Sequence, residues 1–138
     1  MELISLDDAE RAIAAARREA EGRGEKIGIV IVDTRGDVKA SARCDGALFR
    51  HMQLADGKAF AAATHGLPSS ALMARADSPV MRALMHLEGG RIIPVPGAVP
   101  LRRDGVLMGA LGISGAPSGE RDEEIALAGA AAFERGAG

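Results

Sequence analysis

The feature that most constrains the fold is a strand-like run with glycine at every third position. The run VLMGALGIS, residues 106–114, contains Gly109 and Gly112, and Gly115 follows it directly. Glycine inside a strand weakens it, so it usually marks a bulge or a close approach by another backbone or a ligand. The spacing is not the G-x-G-x-x-G dinucleotide fingerprint, which lies between a strand and a helix. The sequence therefore predicts either that a helix packs closely on this strand or that the strand forms the floor of a ligand-binding site.

Capping and turn motifs predict where the helices and hairpins lie. Ser5, followed by two aspartates, predicts the start of a first helix, because a hydroxyl cap and acidic residues both favour a helix N-terminus. The tetrapeptide TRGD at 34–37 and the dipeptide DG at 104–105 predict two hairpin turns. The predicted helices span 6 to about 22, 48–64, 69–76, 79–86 and 118 onward, and the predicted strands span 27–33, 38–43, 91–93, 99–103 and 106–114.

The order of these elements predicts the fold class. It is α-ββ-α(α)-βββ-α, with five strands and helices both between and beyond them. Two hairpins imply an antiparallel sheet, so we expect an α+β fold in which helices flank the sheet. A length of 138 residues without a linker or an internal repeat predicts that residues 1–138 form one domain.

Composition argues against nucleic-acid binding. The chain has no Trp, no Tyr and three Phe, whereas proteins that bind single strands usually stack bases on aromatic side chains. The formal net charge is −2 and no run of Lys or Arg is present, so no phosphate-binding surface is predicted. We therefore expect a small-molecule ligand and no nucleic-acid partner.

Cysteine use and hydropathy predict the compartment. Cys44 is the only cysteine, so the chain forms no internal disulfide, and a free thiol is typical of a reducing compartment. The N-terminus lacks the basic region and apolar core of a secretory signal. No apolar run approaches the roughly 20 residues of a membrane span. We expect a cytoplasmic protein that does not associate with membranes.

Lysine, aspartate and histidine side chains are the candidates for chemistry. Lys58 lies in the small, apolar stretch ADGKAFAAA, where its ammonium group either extends to solvent or reaches into a pocket to bind an anion or act as a base. Asp45 belongs to a turn or serves as an active-site carboxylate. His51 and His65 are about 21 Å apart on a straight helix and cannot chelate one ion together. Each is either a surface or packing residue or a single axial ligand of a haem iron.

Several stretches together resemble the GlcG/HbpS-like family, which includes haem-binding and haem-degrading domains. They are IGIVIVDTRGDV, RCDGA at 43–47, A-x-x-KA at 55–59, VPGAVPLRRDGVLMGALGISGA and a closing S-G-E-x-D-E-x-I-A helix. The resemblance implies a profilin-like antiparallel sheet of about five strands flanked by helices, and homo-oligomers from dimers to octamers. Related domains form the C-terminal part of some corrinoid adenosyltransferases, and stand-alone members often occur alongside catabolic enzymes.

One loop departs from the family pattern. The family's P-G-G-x-P-I loop is PGAVPL at 96–101 in this chain, so Ala98 replaces the second glycine. An alanine is tolerated there only if its φ angle is negative. The resemblance implies that this loop and the glycine-rich strand surround a shared cavity. Gly97 and Gly112 are therefore candidate ligand-binding positions.

The preferred functional hypothesis is an oligomeric small-ligand-binding protein, with haem as the leading ligand. The resemblance to the family suggests the ligand. His51 or His65 would be the axial ligand of the iron. Lys58 or Arg43 would bind the propionates through charge-assisted hydrogen bonds.

Two alternatives belong to other functional classes. The first is a small catabolic enzyme that acts on an anionic organic acid by proton abstraction or hydrolysis. Lys58, Asp45 and Asp122 would supply its polar groups near the glycine-rich strand. The second is an assembly module without chemistry, whose alanine-rich helix faces are buried between subunits.

Overall fold

The computed structural model describes residues 4–136, which form a four-stranded antiparallel sheet with helices on both faces. The strands are β1 (Gly28–Asp33), β2 (Val38–Arg43), β3 (Ala98–Arg103) and β4 (Val106–Ser114). The helices are α1 (Leu6–Gly22), α2 (Phe49–His65), α3 (Pro79–Leu87) and α4 (Gly119–Arg135), with a 3-10 helix at Ser69–Arg75. The strand order is β2-β1-β4-β3, and each neighbouring pair is antiparallel. The α+β prediction is confirmed. Within residues 4–136, no helix combines the length and apolarity needed to cross a membrane.

Local chemistry places the helix starts and the turns as predicted. The hydroxyl of Ser5 accepts a hydrogen bond from the backbone N–H of Asp8 and caps α1. The turn between β1 and β2 has Gly36 at φ 88°, and the turn between β3 and β4 has Asp104 at φ 51° and Gly105 at φ 78°. Positive φ angles at both central residues are the geometry of a tight hairpin turn. Both predicted hairpins are confirmed, because β1 pairs with β2 and β3 pairs with β4 in antiparallel register.

The prediction of a fifth strand at 91–93 is wrong. This segment packs on α2 instead of pairing with the sheet, and the N–H of Ile93 donates to the carbonyl of Gly57 at 3.2 Å. A Cβ atom on Gly57 would lie 2.6 Å from the carbonyl oxygen of Arg91. The glycine in the helix therefore admits the segment, and the helix backbone provides the hydrogen-bond partner that a strand would otherwise have offered.

The two faces of the sheet carry side chains of different size. On β4, Leu111 and Ile113 belong to the large core formed with α1 and α4, which also contains Phe133. The other face of the same strand carries Ala110, which packs in a second core against the alanines of α2. Alternation along a strand sends successive side chains to opposite faces. Ala110, Gly112 and Ser114 therefore form the face of β4 that lies against α2.

The small face of β4 brings α2 unusually close to the sheet. A Cβ atom on Gly112 would lie 2.2 Å from the carbonyl oxygen of Ala55 and 3.0 Å from the Cβ of Ala59. On the neighbouring strand, a Cβ atom on Gly28 would lie 3.1 Å from the backbone carbon of His51. Close helix packing, one of the two interpretations of the glycine spacing, is therefore what the structure contains.

The alanine that replaces the family's second loop glycine lies in regular strand structure. Ala98 is the first residue of β3 and pairs with Gly112. Among residues 4–136 the only non-glycine residue with a positive φ angle is Asp104. Ala98 therefore has the negative φ angle that an alanine at this position requires. Its N–H donates to the hydroxyl of Ser69 at 2.9 Å. Gly97, with φ at 140°, provides the unusual backbone conformation in this loop.

The close packing of α2 predicts the effect of adding one methyl group to β4. Gly112→Ala should lower the free energy of unfolding by about 1–3 kcal/mol, because the new Cβ meets a backbone carbonyl that cannot move alone. Urea denaturation measures this change. Gly22→Ala is the matched control, since no atom lies within 4 Å of its Cβ position, and alanine favours a helix. Equal stabilities for the two variants would contradict the close-packing interpretation.

Candidate functional site

A cleft of about 480 Å³ lies where α2, the end of β4 and the start of α4 meet. We call it the α2–β4 cleft. Its apolar walls are Leu54, Met73, Val95 and Pro96, and residues 115–120 form its rim. Its remaining polar side chains come from α2, β4 and α4, and they are His51, Lys58, Ser114 and Asp122.

Lys58 and Asp122 form a buried ion pair at the base of this cleft. The Nζ atom lies 3.0 Å from a carboxylate oxygen of Asp122, and each side chain is only 5% exposed. The ammonium group also donates to the carbonyl of Ile113 at 3.1 Å. The other carboxylate oxygen accepts the N–H of Ala116 at 2.9 Å. Lys58 therefore does not extend to solvent; its charge is compensated inside the protein, as a buried charge requires.

The surroundings of Asp122 act on its acidity in opposite directions. Burial raises the pKa of the Asp122 carboxyl, because the charged form loses its hydration. The positive charge of Lys58 and the hydrogen bond from Ala116 oppose this rise in the pKa. The stability of the ionised carboxylate therefore depends on Lys58.

His51 lies in the first turn of α2 and lines the α2–β4 cleft. Its Nδ1 atom is 3.3 Å from the hydroxyl oxygen of Ser114, the last residue of β4. Within residues 4–136 this is the one hydrogen bond that the ring makes. The residues described contain no group of three or more His, Cys, Asp or Glu side chains arranged to hold a metal ion. His51 is therefore a single imidazole that could bind a metal ion, and it lies beside the apolar walls of the cleft.

His65 lies at the other end of the same helix. It is the last residue of α2, and its Nδ1 atom is 2.9 Å from the carbonyl oxygen of Ala61, one turn earlier. It does not line the α2–β4 cleft. The structure thus separates the two histidines that the sequence treats as equivalent candidates.

Arg43 and Asp45 line a different cleft, of about 440 Å³, together with Cys44. The guanidinium group of Arg43 donates to the carbonyl of Ala47 at 2.9 Å. Burial raises the pKa of the Cys44 thiol, although the charge of Arg17 opposes it. Of the three side chains proposed for catalysis, the structure brings Lys58 and Asp122 together, and it places Asp45 elsewhere.

The two candidate glycines lie behind the cleft lining rather than on it. A Cβ atom on Gly97 would lie 2.6 Å from both the Cδ and the Nζ of Lys58. Gly97 therefore leaves the space that the lysine side chain occupies, just as Gly112 leaves space for the backbone of α2. Both glycines shape the cleft through these neighbours.

Sequence reasoning did not identify Ser114 as a site residue. The hydroxyl is at the end of the small face of β4, after Ala110 and Gly112, and the residue is 3% exposed. A polar residue that continues an apolar, small-residue face is the pattern that marks it. The contact with His51 joins residues 63 positions apart, which no local motif encodes.

Removal of the lysine from the ion pair should destabilise the protein strongly. Lys58→Met should lower the free energy of unfolding by about 3–5 kcal/mol, because the Asp122 carboxylate stays buried without its cation. Urea denaturation measures the loss. Arg17→Met is the control, since Arg17 pairs with Glu21 on the exposed face of α1 and surface pairs contribute little. If Lys58→Met lowers the free energy of unfolding no more than the control does, the interpretation of Lys58 and Asp122 as a buried ion pair is contradicted.

The same substitution should change the acidity of Asp122. Lys58→Met should raise the pKa of this carboxyl further, because burial remains and the opposing charge is gone. A folded-state pKa above the unfolded-state value means that the folded protein binds the proton more tightly. The contribution of Asp122 to the stability of the variant should therefore be greatest below the ordinary aspartate range and should be lost as the pH rises through the raised pKa.

Titration of the Asp122 carboxyl ¹³C shift, with urea denaturation at each pH, measures both effects. The double variant Lys58→Met/Asp122→Asn lacks the titrating group, so its stability should not show this fall. A lower pKa for Asp122 in Lys58→Met than in the unsubstituted protein would refute the electrostatic interpretation.

Comparisons with known proteins identify the family. The family model described as "Haem degrading protein HbpS-like" matches residues 4–131. The corrinoid adenosyltransferase PduO of Salmonella typhimurium is 32% identical over 138 residues, which is 96% of this chain and 40% of the relative. The chain thus spans about two-fifths of the length of this curated relative.

Solved structures of similar sequence have the same fold. A double mutant of Streptomyces reticuli HbpS superimposes with a TM-score of 0.83 at 32% identity, covering 95% of this chain and 87% of that one. The structure of a PduOC:heme complex also superimposes with a TM-score of 0.83, at 30% identity and 95% coverage of both chains. Because the family match includes all four strands and nearly the whole of the described structure, the chain belongs to the HbpS-like family.

Proposed function

We propose that this protein binds haem in the α2–β4 cleft, with His51 as the axial ligand. The observation that carries the proposal is one imidazole on the lining of this cleft, beside apolar side chains, whose Nε2 has no hydrogen-bond partner among residues 4–136. Membership of the HbpS-like family supports it, as does the similarity to a solved PduOC:heme complex. When bound, haem supplies an iron that transfers single electrons or binds a small axial molecule.

The residues of the cleft fit the chemistry of haem. Histidine is a common axial ligand, and the flat macrocycle requires apolar contacts on its faces. Leu54, Val95 and Pro96 provide such contacts, and Met73 lies on the same cleft while still 55% exposed. A bound macrocycle would cover this exposed thioether and remove its apolar surface from water.

Lys58 is the better placed of the two candidate propionate ligands. Arg43 lines the other cleft, whereas Lys58 lines the α2–β4 cleft. The ammonium group has three donors, and two of them are used by Ile113 and Asp122. The third would be available to a propionate. Asp122 would hold the Lys58 ammonium group in place.

The geometry favours ligand binding over the alternative hypothesis of an enzyme that acts on an anionic organic acid. A lysine that acts as a base needs a free lone pair near the substrate, whereas the Nζ of Lys58 is engaged by the Asp122 carboxylate and the Ile113 carbonyl. Asp45, the third group of that hypothesis, lines a separate cleft. We therefore retain ligand binding as the proposal, with Lys58 as the propionate ligand and Asp122 as the residue that holds it in place.

The oligomeric part of the proposal rests on exposed apolar side chains at the start of α2. Leu48 and Phe49 are 66% and 70% exposed; Leu48 immediately precedes α2, and Phe49 begins the turn that carries His51. Adjacent exposed side chains of this size are typical of surfaces that another protein covers. We propose a homo-oligomer, between a dimer and an octamer, in which these residues are buried.

Haemin titration followed by absorbance tests the proposal. The unsubstituted protein should give a saturable Soret shift at a fixed ratio of haem to chain. His51→Ala should weaken binding by more than about tenfold, since loss of a ligand costs more than loss of an outer partner. His65→Ala is the matched control, on the same helix but outside the cleft, and should bind as the unsubstituted protein does. Weak, unsaturable haemin binding that is the same in the unsubstituted protein and in both variants would overturn the proposal.

A further inference from the structure

Two contacts hold His51 in one orientation. Its backbone lies against β1, where the absent side chain of Gly28 leaves room for it. Its ring is held by Ser114, whose hydroxyl oxygen is 3.3 Å from Nδ1. Gly28 and Ser114 are themselves paired across β1 and β4. Backbone and ring are thus both anchored to the same end of the sheet.

The partner of Nδ1 decides what Nε2 can do. A neutral imidazole carries one proton, and the hydrogen bond made by one nitrogen determines whether the other presents a lone pair. If Nδ1–H donates to Ser114, Nε2 carries the lone pair. If Ser114 donates to Nδ1 instead, Nε2 carries the proton and cannot bind a metal.

We propose that Ser114 is a positioning residue for the iron ligand: its hydroxyl accepts Nδ1–H of His51 and so fixes the tautomer and the ring direction that give Nε2 to the α2–β4 cleft. This inference rests on the proposed haem function and extends it to the residue behind the ligand. Partners of this kind orient metal-binding histidines and make them more basic. Ser114 is buried, at 3% exposure, and this burial keeps water from competing with its hydroxyl for Nδ1 of His51.

The same pair of side chains would have the opposite polarity in a nucleophilic site. A serine activated by a histidine donates its hydroxyl proton to the ring nitrogen, so Nδ1 would be the acceptor. The protonated nitrogen of His51 therefore distinguishes a positioning serine from a nucleophilic one, and it can be measured without haem.

Nitrogen-15 NMR of the histidine rings in the haem-free protein is the first test. At a pH where His51 is neutral, the proton should be on Nδ1, and Ser114→Ala should shift the population toward the Nε2–H tautomer. Ser69→Ala is the matched control, because Ser69 is also buried but bonds Ala98 away from the cleft. It should leave the His51 signals unchanged. A proton on Nε2 in the unsubstituted protein, or no change in Ser114→Ala, overturns the inference.

Haemin binding provides the second test. Ser114→Ala should weaken haemin affinity about tenfold, and Ser114→Thr, which keeps the hydroxyl, should restore it. Affinity lost in His51→Ala but unchanged in Ser114→Ala would overturn this inference and leave the haem proposal standing. Binding unaffected by either substitution would overturn the haem proposal, and the NMR result would still decide the role of Ser114.

Discussion

The close approach of α2 to β4 at Gly112 is the constraint on which the candidate site depends. Without a side chain there, the carbonyl of Ala55 lies against the strand. This short separation lets Lys58 reach the carbonyl of Ile113 and lets His51 reach Ser114. A larger residue at Gly112 would push the helix away, and both side chains would lose their partners. The glycine spacing thus shapes the cleft by setting the distance between helix and sheet.

The buried ion pair then connects this helix to the rest of the cleft. Asp122 comes from α4, on the opposite side of the sheet from α2, and it joins Lys58 past the end of β4. Its second oxygen fixes the backbone at Ala116, in the loop that forms the rim. One pair of charges therefore holds two helices, a strand end and a loop together, and its removal affects all four.

Local chemistry made most of the fold predictable, and long-range pairing was the part that was not. Caps such as Ser5 and the turn at Asp104 act within a few residues, so the sequence indicates them directly. The segment at 91–93 resembles a strand locally, but its partner is the backbone of Gly57 in a helix. Likewise, Lys58 and Asp122 were both identified as candidates, but the ion pair between them joins residues 64 positions apart and follows only from the packing of α4 beside the end of β4.

The choice between the two histidines shows why topology, and not residue type, assigns the candidate ligand. His51 and His65 lie on one helix with similar spacing to its two ends, so composition and periodicity treat them alike. Because β4 runs antiparallel to β1 and ends at Ser114, a buried hydroxyl meets the first turn of α2. At the last turn, the hydrogen-bond partners of His65 among residues 4–136 come from its own helix: the carbonyl of Ala61 and the hydroxyl of Thr64. A histidine can present one nitrogen to a ligand where the sheet provides a hydrogen-bond partner for the other nitrogen and an apolar cleft lies in front of the ring. Of the two candidate histidines, only His51 has both.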